Sequence, residues 1–197
     1  SMTNQTPQLR KKLRSQRHTL SIFQHKHAEK KVLHALRLCP KFRHAQHIGV
    51  YLDDFGEVAT HTLILYLFKQ KKRVYLPLIC KMNQQLRWVK VSHHQYHNFR
   101  FSRHSLGMYE PMASRGQHIR CLDLVIMPLL ACDHHGTRMG MGGGFYDRTL
   151  ASAPCKPYRL GLAHDFQLLN EALTRNPWDQ ALDALVTPSK CLSFKRH

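Results

Sequence analysis

The sequence predicts an α/β fold: a three-layer α/β/α sandwich around a mostly parallel central sheet, preceded by an N-terminal helical segment. Three observations predict it. Residues 47–79 read strand, helix, strand within about thirty residues, the length of a right-handed crossover unit. Residues 123–130 (DLVIMPLL) form an almost continuous apolar run, the pattern of a strand covered on both faces. Further short apolar runs at 158–163 (YRLGLA) and 184–187 (ALVT) alternate with helical stretches, and that alternation implies a sheet with helices on both sides.

Taken in order, residues 7–38 read as one or two basic helices. Leu9 and Leu13 are four apart, and Val32, Leu33 and Leu36 form a second helical set. Pro40 follows the last apolar residues, as proline often does where a helix ends. Residues 47–52 (HIGVYL) have strand character, and Asp53, Asp54 and Gly56 break them into a loop that carries Glu57. Thr60 is the predicted N-cap of a helix whose buried face is Leu63, Ile64, Leu67 and Phe68. The basic run 69–73 closes that helix, where cations suit the macrodipole. Strands follow at 74–79 and 86–91. Residues 92–120 are polar, histidine-rich and weakly periodic, with a short segment around 107–111. The strand at 123–130 leads at once into a glycine-rich loop, and a helix starts at Phe145.

A chain of 197 residues suits a single domain over 1–197 that needs no disulfide or structural metal to fold. Residues 1–6 read as a disordered tail or tag remnant, with Ser1-Met2 as an expression scar. No stretch approaches the roughly 18 apolar residues of a membrane span, and the basic N-terminus lacks the apolar run of a secretory signal. A cytoplasmic protein is expected. The six cysteines are never closer than eleven positions, which leaves zinc and redox motifs without support, and several should behave as small core residues. Thirty Lys+Arg against 12 Asp+Glu give a net charge of +18. Such charge speeds association with anions and promotes non-specific nucleic-acid binding. No nucleic-acid reading motif accompanies it, so no specific nucleic-acid partner is expected. Most of the sixteen histidines should lie at the surface.

The chemistry is concentrated in residues 138–148 (RMGMGGGFYDR). Ligands of open α/β sheets bind beyond the carboxyl ends of strands. Gly140, Gly142, Gly143 and Gly144 permit tight turns and close approach of backbone amides to a ligand. Successive amides at a helix start cradle anions. Arg138 and Arg148 bracket the loop with guanidinium groups suited to phosphate, and Asp147 offers a carboxylate for Mg²⁺. The alternative is a glycine turn packed on the sheet, which would not call for flanking arginines and an aspartate. Neither a Walker A loop nor a Rossmann fingerprint fits: no Lys-Ser or Lys-Thr follows, and the sixth position from Gly140 is Phe145.

This run resembles the signature of the 5-formyltetrahydrofolate cyclo-ligase family, approximately R-L-G-x-G-x-G-Y-Y-D. The segments Arg10-Lys11-Lys12-Leu13-Arg14, 51–60 (YLDDFGEVAT), VYLPLI, DLVIMPLL, 159–167 (RLGLAHDFQ) and 179–187 (DQALDALVT) are similar to further family segments in the same order. The likeness covers most of the chain. It implies ATP- and Mg²⁺-dependent cyclisation of 5-formyltetrahydrofolate to 5,10-methenyltetrahydrofolate, with release of ADP and phosphate.

The resemblance also implies roles. Arg10, Lys11, Lys12, Leu13 and Arg14 match the ATP-contacting N-terminal motif; read alone they are a solvated helix face. Arg138, Met139, Gly140, Met141, Gly142, Gly143, Gly144, Phe145 and Tyr146 would hold ATP, with Arg138 and Tyr146 at the reacting groups. Leu52, Glu57, Met141, Gly142, Gly143, Gly144 and Phe145 would hold the folate, Glu57 by accepting paired hydrogen bonds from the pterin. Phe145 alone reads equally as core packing. Asp147 and Asp179 would hold Mg²⁺; Asp179 reads equally as a turn cap, and Asp183 is its rival. The basic surface would recruit polyglutamylated folates, and the protein would act as a monomer. Gly143 stands where some members carry Lys, so arginines must neutralise more of the phosphate charge. Two other readings remain: a different nucleotide-binding enzyme that keeps only the glycine loop, and a nucleic-acid binder drawn by the net charge.

Overall fold

A computed structural model describes residues 7–54, 56–100 and 116–196, without the side chains of 99 and 100. Seven strands form the main sheet: β1 (His47–Val50), β2 (Arg73–Cys80), β3 (Gln85–Val91), β4 (Leu124–Met127), β7 (Tyr158–Leu162), β8 (Ala184–Val186) and β9 (Cys191–Ser193). Their order is β3-β2-β1-β4-β7-β8-β9. The five inner strands run parallel, while β3 and β9 pair antiparallel at the two edges. The α/β fold expected from the sequence is the one observed.

Period-two alternation divides the core cleanly. Ile48, Val50, Val74, Leu76, Leu124, Ile126, Leu160, Leu162, Ala184 and Val186 face one side. Tyr75, Val125, Met127 and Leu185 face the other. On the first side lie α2 (Ile22–Arg37), α3 (Pro40–His44), α4 (His61–Lys69) and α5 (His93–Arg100). Among the described residues, the second carries one short helix, α6 (Phe145–Ala151), a 3₁₀ turn at Ile119–Cys121 and loops.

Helix α1 (Pro7–His18) packs on neither face. Leu13, at 2 % exposure, joins Leu130, Ala131, Met139 and Leu173 in a third cluster beyond the carboxyl ends of the strands. Ser21 starts α2 with a reciprocal capping box to Gln24, which separates it from α1. Pro40 follows the end of α2, as expected, and also opens α3, its missing N–H being harmless at a first turn.

Several local expectations are corrected. Residues 123–130 are not one strand. Strand β4 stops before Pro128, and β5 (Ala131–Cys132) pairs with β6 (Arg138–Met139) in a separate hairpin. Asp133 builds that hairpin: its Oδ1 accepts from the amides of His135 (2.9 Å) and Thr137 (3.0 Å), and its Oδ2 from Leu173 (2.8 Å). Arg138 thus sits on a strand, and the glycine loop follows β6. Thr60 occupies the N-cap position without capping, because its hydroxyl donates to the Tyr51 carbonyl at 2.8 Å. Only Cys132 of the six free cysteines is fully buried, with its thiol pushed up to about 12 by desolvation; Cys155 and Cys191 are exposed. The segment expected around 107–111 and the tail 1–6 lie outside the described residues. Among the described residues no helix is long and apolar enough to cross a membrane.

Candidate active site

Helix α4 leaves β1 on one face of the sheet, and α6 leaves the β4 side on the other. Since β1 and β4 are neighbours, their onward connections diverge and a crevice opens at their carboxyl ends. A cleft of about 1160 Å³ occupies this place. Leu52 and Glu57 from the segment after β1, Pro128 after β4, residues 137–148, and Asp179 all line it, with Arg10 entering from α1.

The glycine loop is held by arginines. Arg10 donates to the Gly140 carbonyl (2.5 Å), Arg14 to the Met141 carbonyl (3.3 Å) and Arg148 to the Gly143 carbonyl (2.7 Å). In a trans peptide plane the C=O and the following N–H point in opposite directions. The amides of Met141, Gly142 and Gly144 therefore point away from the arginines that hold the preceding carbonyls. Gly144 adopts φ +71°, a left-handed conformation costly for other residues, immediately before α6. That helix has seven residues, so its dipole adds little and the loop amides must do most of any anion binding.

Arg138 is fixed rather than free. Its Nε and Nη2 donate to the Pro128 carbonyl at 3.0 and 2.7 Å. Its guanidinium lies over the Tyr146 ring, 5.0 Å from the centroid. Burial lowers its pKa, and burial lifts the Tyr146 phenol well above the usual tyrosine range. Tyr146 is thus a neutral hydrogen-bonding group. Arg148 also donates to the Gln84 carbonyl (2.8 Å), tying the loop to the turn between β2 and β3. Phe145 is half-buried against the second core, with Arg148 over its ring at 5.1 Å.

Asp147 and Asp179 share the cleft, and the proximity of Asp179 adds to the burial that raises the Asp147 pKa. One oxygen of each is occupied: Asp147 accepts from the Gln180 amide (3.0 Å) and Asp179 from the Asn176 amide (2.8 Å). Asp179 is therefore both a turn cap and a cleft residue. Asp183 lies elsewhere, bound to Arg196 at 2.6 Å and to the Arg159 amide at 2.8 Å. Among the described residues no third carboxylate, thiol or imidazole joins Asp147 and Asp179 in a metal-binding group. Mg²⁺ usually takes one or two carboxylates and completes its octahedron with phosphate oxygens and water. The donor set fits a magnesium ion carried by a nucleotide and does not make a protein cage.

Glu57 is largely buried, and desolvation lifts its pKa from 4.5 to about 7. Its Oε1 accepts from the Asp54 amide at 2.9 Å. The structure gathers most of the residues expected from the sequence, with four exceptions: Lys11 and Lys12 are exposed, Leu13 is in the core, and Arg14 reaches the Met141 carbonyl from outside, so none of the four lines the cleft. Trp178, 66 % exposed at the rim, escapes the sequence reading; its position beside Asp179 is the one signal that could have found it.

Known proteins resemble this arrangement. The chain matches the profile of the 5-formyltetrahydrofolate cyclo-ligase family over residues 2–188. It is 39 % identical over 149 residues to a 5-formyltetrahydrofolate cyclo-ligase of Escherichia coli (strain K12), covering 74 % of this chain and 80 % of that one. Identity to the protein of that name from Haemophilus influenzae is 35 % over 193 residues, covering 93 % and 98 %. The solved 5,10-methenyltetrahydrofolate synthetase of Aquifex aeolicus superposes with a TM-score of 0.75 at 26 % identity, covering 96 % and 93 %. A cleft built at the β1/β4 switch point, a glycine loop on its floor and a match spanning nearly the whole sequence agree: this chain belongs to the 5-formyltetrahydrofolate cyclo-ligase family.

Proposed function

We propose that the protein cyclises 5-formyltetrahydrofolate to 5,10-methenyltetrahydrofolate at the expense of ATP, with Mg²⁺. The observation that carries this reading is that Glu57, after β1, and the loop 138–147, after β6, line one cleft. A pterin-recognising carboxylate and a polyanion cradle are then within reach of one another. ATP-Mg²⁺ supplies a phosphoryl group that turns the formyl oxygen into a leaving group, after which N10 of the folate closes the ring and phosphate departs.

The chain's own task is positioning and charge neutralisation. The amides of Met141, Gly142 and Gly144 bind phosphate oxygens, supported by Arg10 and Arg14, which hold the loop in shape from behind. Arg138, already anchored on Pro128, meets developing charge without having to reorganise. Tyr146 keeps its proton and donates a hydrogen bond near the transferred group. Leu52 and Phe145 exclude water beside the folate, and ionised Glu57 accepts from its amino and ring N–H groups. Asp147 and Asp179 would hold the magnesium ion. Six free thiols suit the cytoplasm. The net charge of +18 suits a polyglutamate tail.

The test is an absorbance assay at the methenylfolate band with 5-formyltetrahydrofolate and ATP-Mg²⁺. Product formation that requires both substrates is expected. ATP binding with no folate product at any enzyme level would favour a different nucleotide-binding enzyme.

A further inference from the structure

Helix α1 sets Arg10, Arg14 and Arg17 on successive turns of one side. The first two end on carbonyls of the glycine loop. Arg17 ends differently. It is wholly buried, at 0 % exposure. Among the described residues its Nη2 meets only the Met141 sulfur, at 3.5 Å, a weak acceptor. Its Nε and Nη1 have no hydrogen-bond partner among the described residues. Leaving a buried guanidinium so poorly satisfied is costly, and a helix seated by Leu13 has no structural need of one.

The neighbours of Arg17 suggest what it does there. A Cβ on Gly56 would stand 3.0 Å from the Arg17 Cβ and from its carbonyl, and Gly56 turns at φ +80° to let the two segments touch. Glu57 follows directly, and it is the main group that favours the Arg17 charge. On the far side of Gly56, the His164 imidazole meets the Gly56 carbonyl at 3.1 Å, its pKa depressed by burial to about 4 and its ring therefore neutral. Arg17 does not line the cleft; it stands behind the wall that Glu57 and Met141 form.

We propose that Arg17 is a positioning residue, a buried guanidinium wedged between Met141 of the glycine loop and the Gly56–Glu57 turn that places a cation behind Glu57 and links the pterin pocket to the phosphate loop. The proposal deepens the folate reading above and rests on it. The groups bearing on Glu57 are Tyr51, Asp53 and Asp54 on its own segment, Arg138 and Tyr146 across the cleft, and Arg17 behind it. Of these only the two arginines are cationic, and Arg138 is committed to Pro128. Burial pushes Glu57 up, while the Asp54 amide and, after it, Arg17 pull it back, so removing Arg17 favours the protonated form, which accepts the pterin's paired donors less well.

Steady-state kinetics of the full chain decide the matter, varying folate and ATP separately across acid to alkaline pH. For Arg17→Met, the KM for 5-formyltetrahydrofolate should rise roughly tenfold while that for ATP changes much less. The acid limb of kcat/KM for folate should move to higher pH by about one unit, since a lost opposite charge shifts a carboxylate by that order. Arg17→Lys should leave the limb near its wild-type position and recover only part of the KM, because one ammonium cannot reach both loops. An unmoved acid limb, or equal rises in both KM values, would mean a merely structural arginine and overturn the proposal. If Arg17→Met does not fold, the same readouts on Arg17→Gln, which keeps donors without the charge, separate the same two outcomes. Absence of folate turnover by the wild-type protein is a separate result: it removes the proposed function, and the role of Arg17 with it.

Discussion

Glu57 illustrates how one residue can serve a site at the expense of stability. Its pKa in the folded protein, about 7, lies above the ordinary 4.5. The folded state then holds the proton more tightly than the unfolded chain, so its favourable contribution is complete below the unfolded value and is lost as pH rises through about 7. Glu57→Gln stays neutral throughout. Its Tm should exceed that of the wild type in mildly alkaline buffer and by less in acid, as thermal unfolding at several pH values would reveal. The same variant should weaken folate binding more than ATP binding. Arg138 is the second informative residue. The structure gives this side chain the Pro128 carbonyl to satisfy. Arg138→Ala should therefore lower kcat by about 10²–10³-fold and also destabilise the protein by about 1–3 kcal/mol through the orphaned carbonyl. Kinetics and denaturant unfolding on the same preparation separate the two losses.

At the scale of elements, α1 behaves as a strap over the glycine loop. Its hold depends on Leu13, packed against Leu130, Met139 and Leu173. Leu13→Ala should cost about 2–4 kcal/mol if the cavity does not collapse. Arg10 and Arg14 would then lose their register over Gly140 and Met141, so the KM for ATP should rise although no phosphate contact has been removed; parallel unfolding and kinetic titrations check both parts. The hairpin β5–β6 is the element hidden from a linear reading. DLVIMPLL reads as one buried strand because both of its halves are buried, and periodicity cannot report where a strand changes partner. Pro128 marks the break, since proline cannot donate to a ladder. The boundary between α1 and α2 is also legible, in the Ser21…Gln24 capping pair.

For the whole molecule, the net charge of +18 predicts loose binding to any polyanion. Binding to a DNA duplex should show no sequence preference and should vanish as salt rises, since each neutralised phosphate steepens the salt dependence; a complex that survived moderate salt with a sequence preference would point to a second function. The α/β class, the succession of inner strands along the chain, the glycine-rich loop within 138–148 and the family are all readable in the amino acids alone. They are carried by local periodicity, by turn chemistry and by a contiguous motif, which need no knowledge of what lies far away in the chain. Other features wait on the folded molecule: Asp179 rather than Asp183 shares the cleft with Asp147, Lys11 and Lys12 stay outside it, and Arg17 stands behind Glu57. Those outcomes depend on contacts such as Arg10 to Gly140 and Arg17 to Met141, separated by 130 and 124 residues. Sheet order sets such contacts, by bringing β1 and β4 side by side, and no local pattern in the chain encodes them.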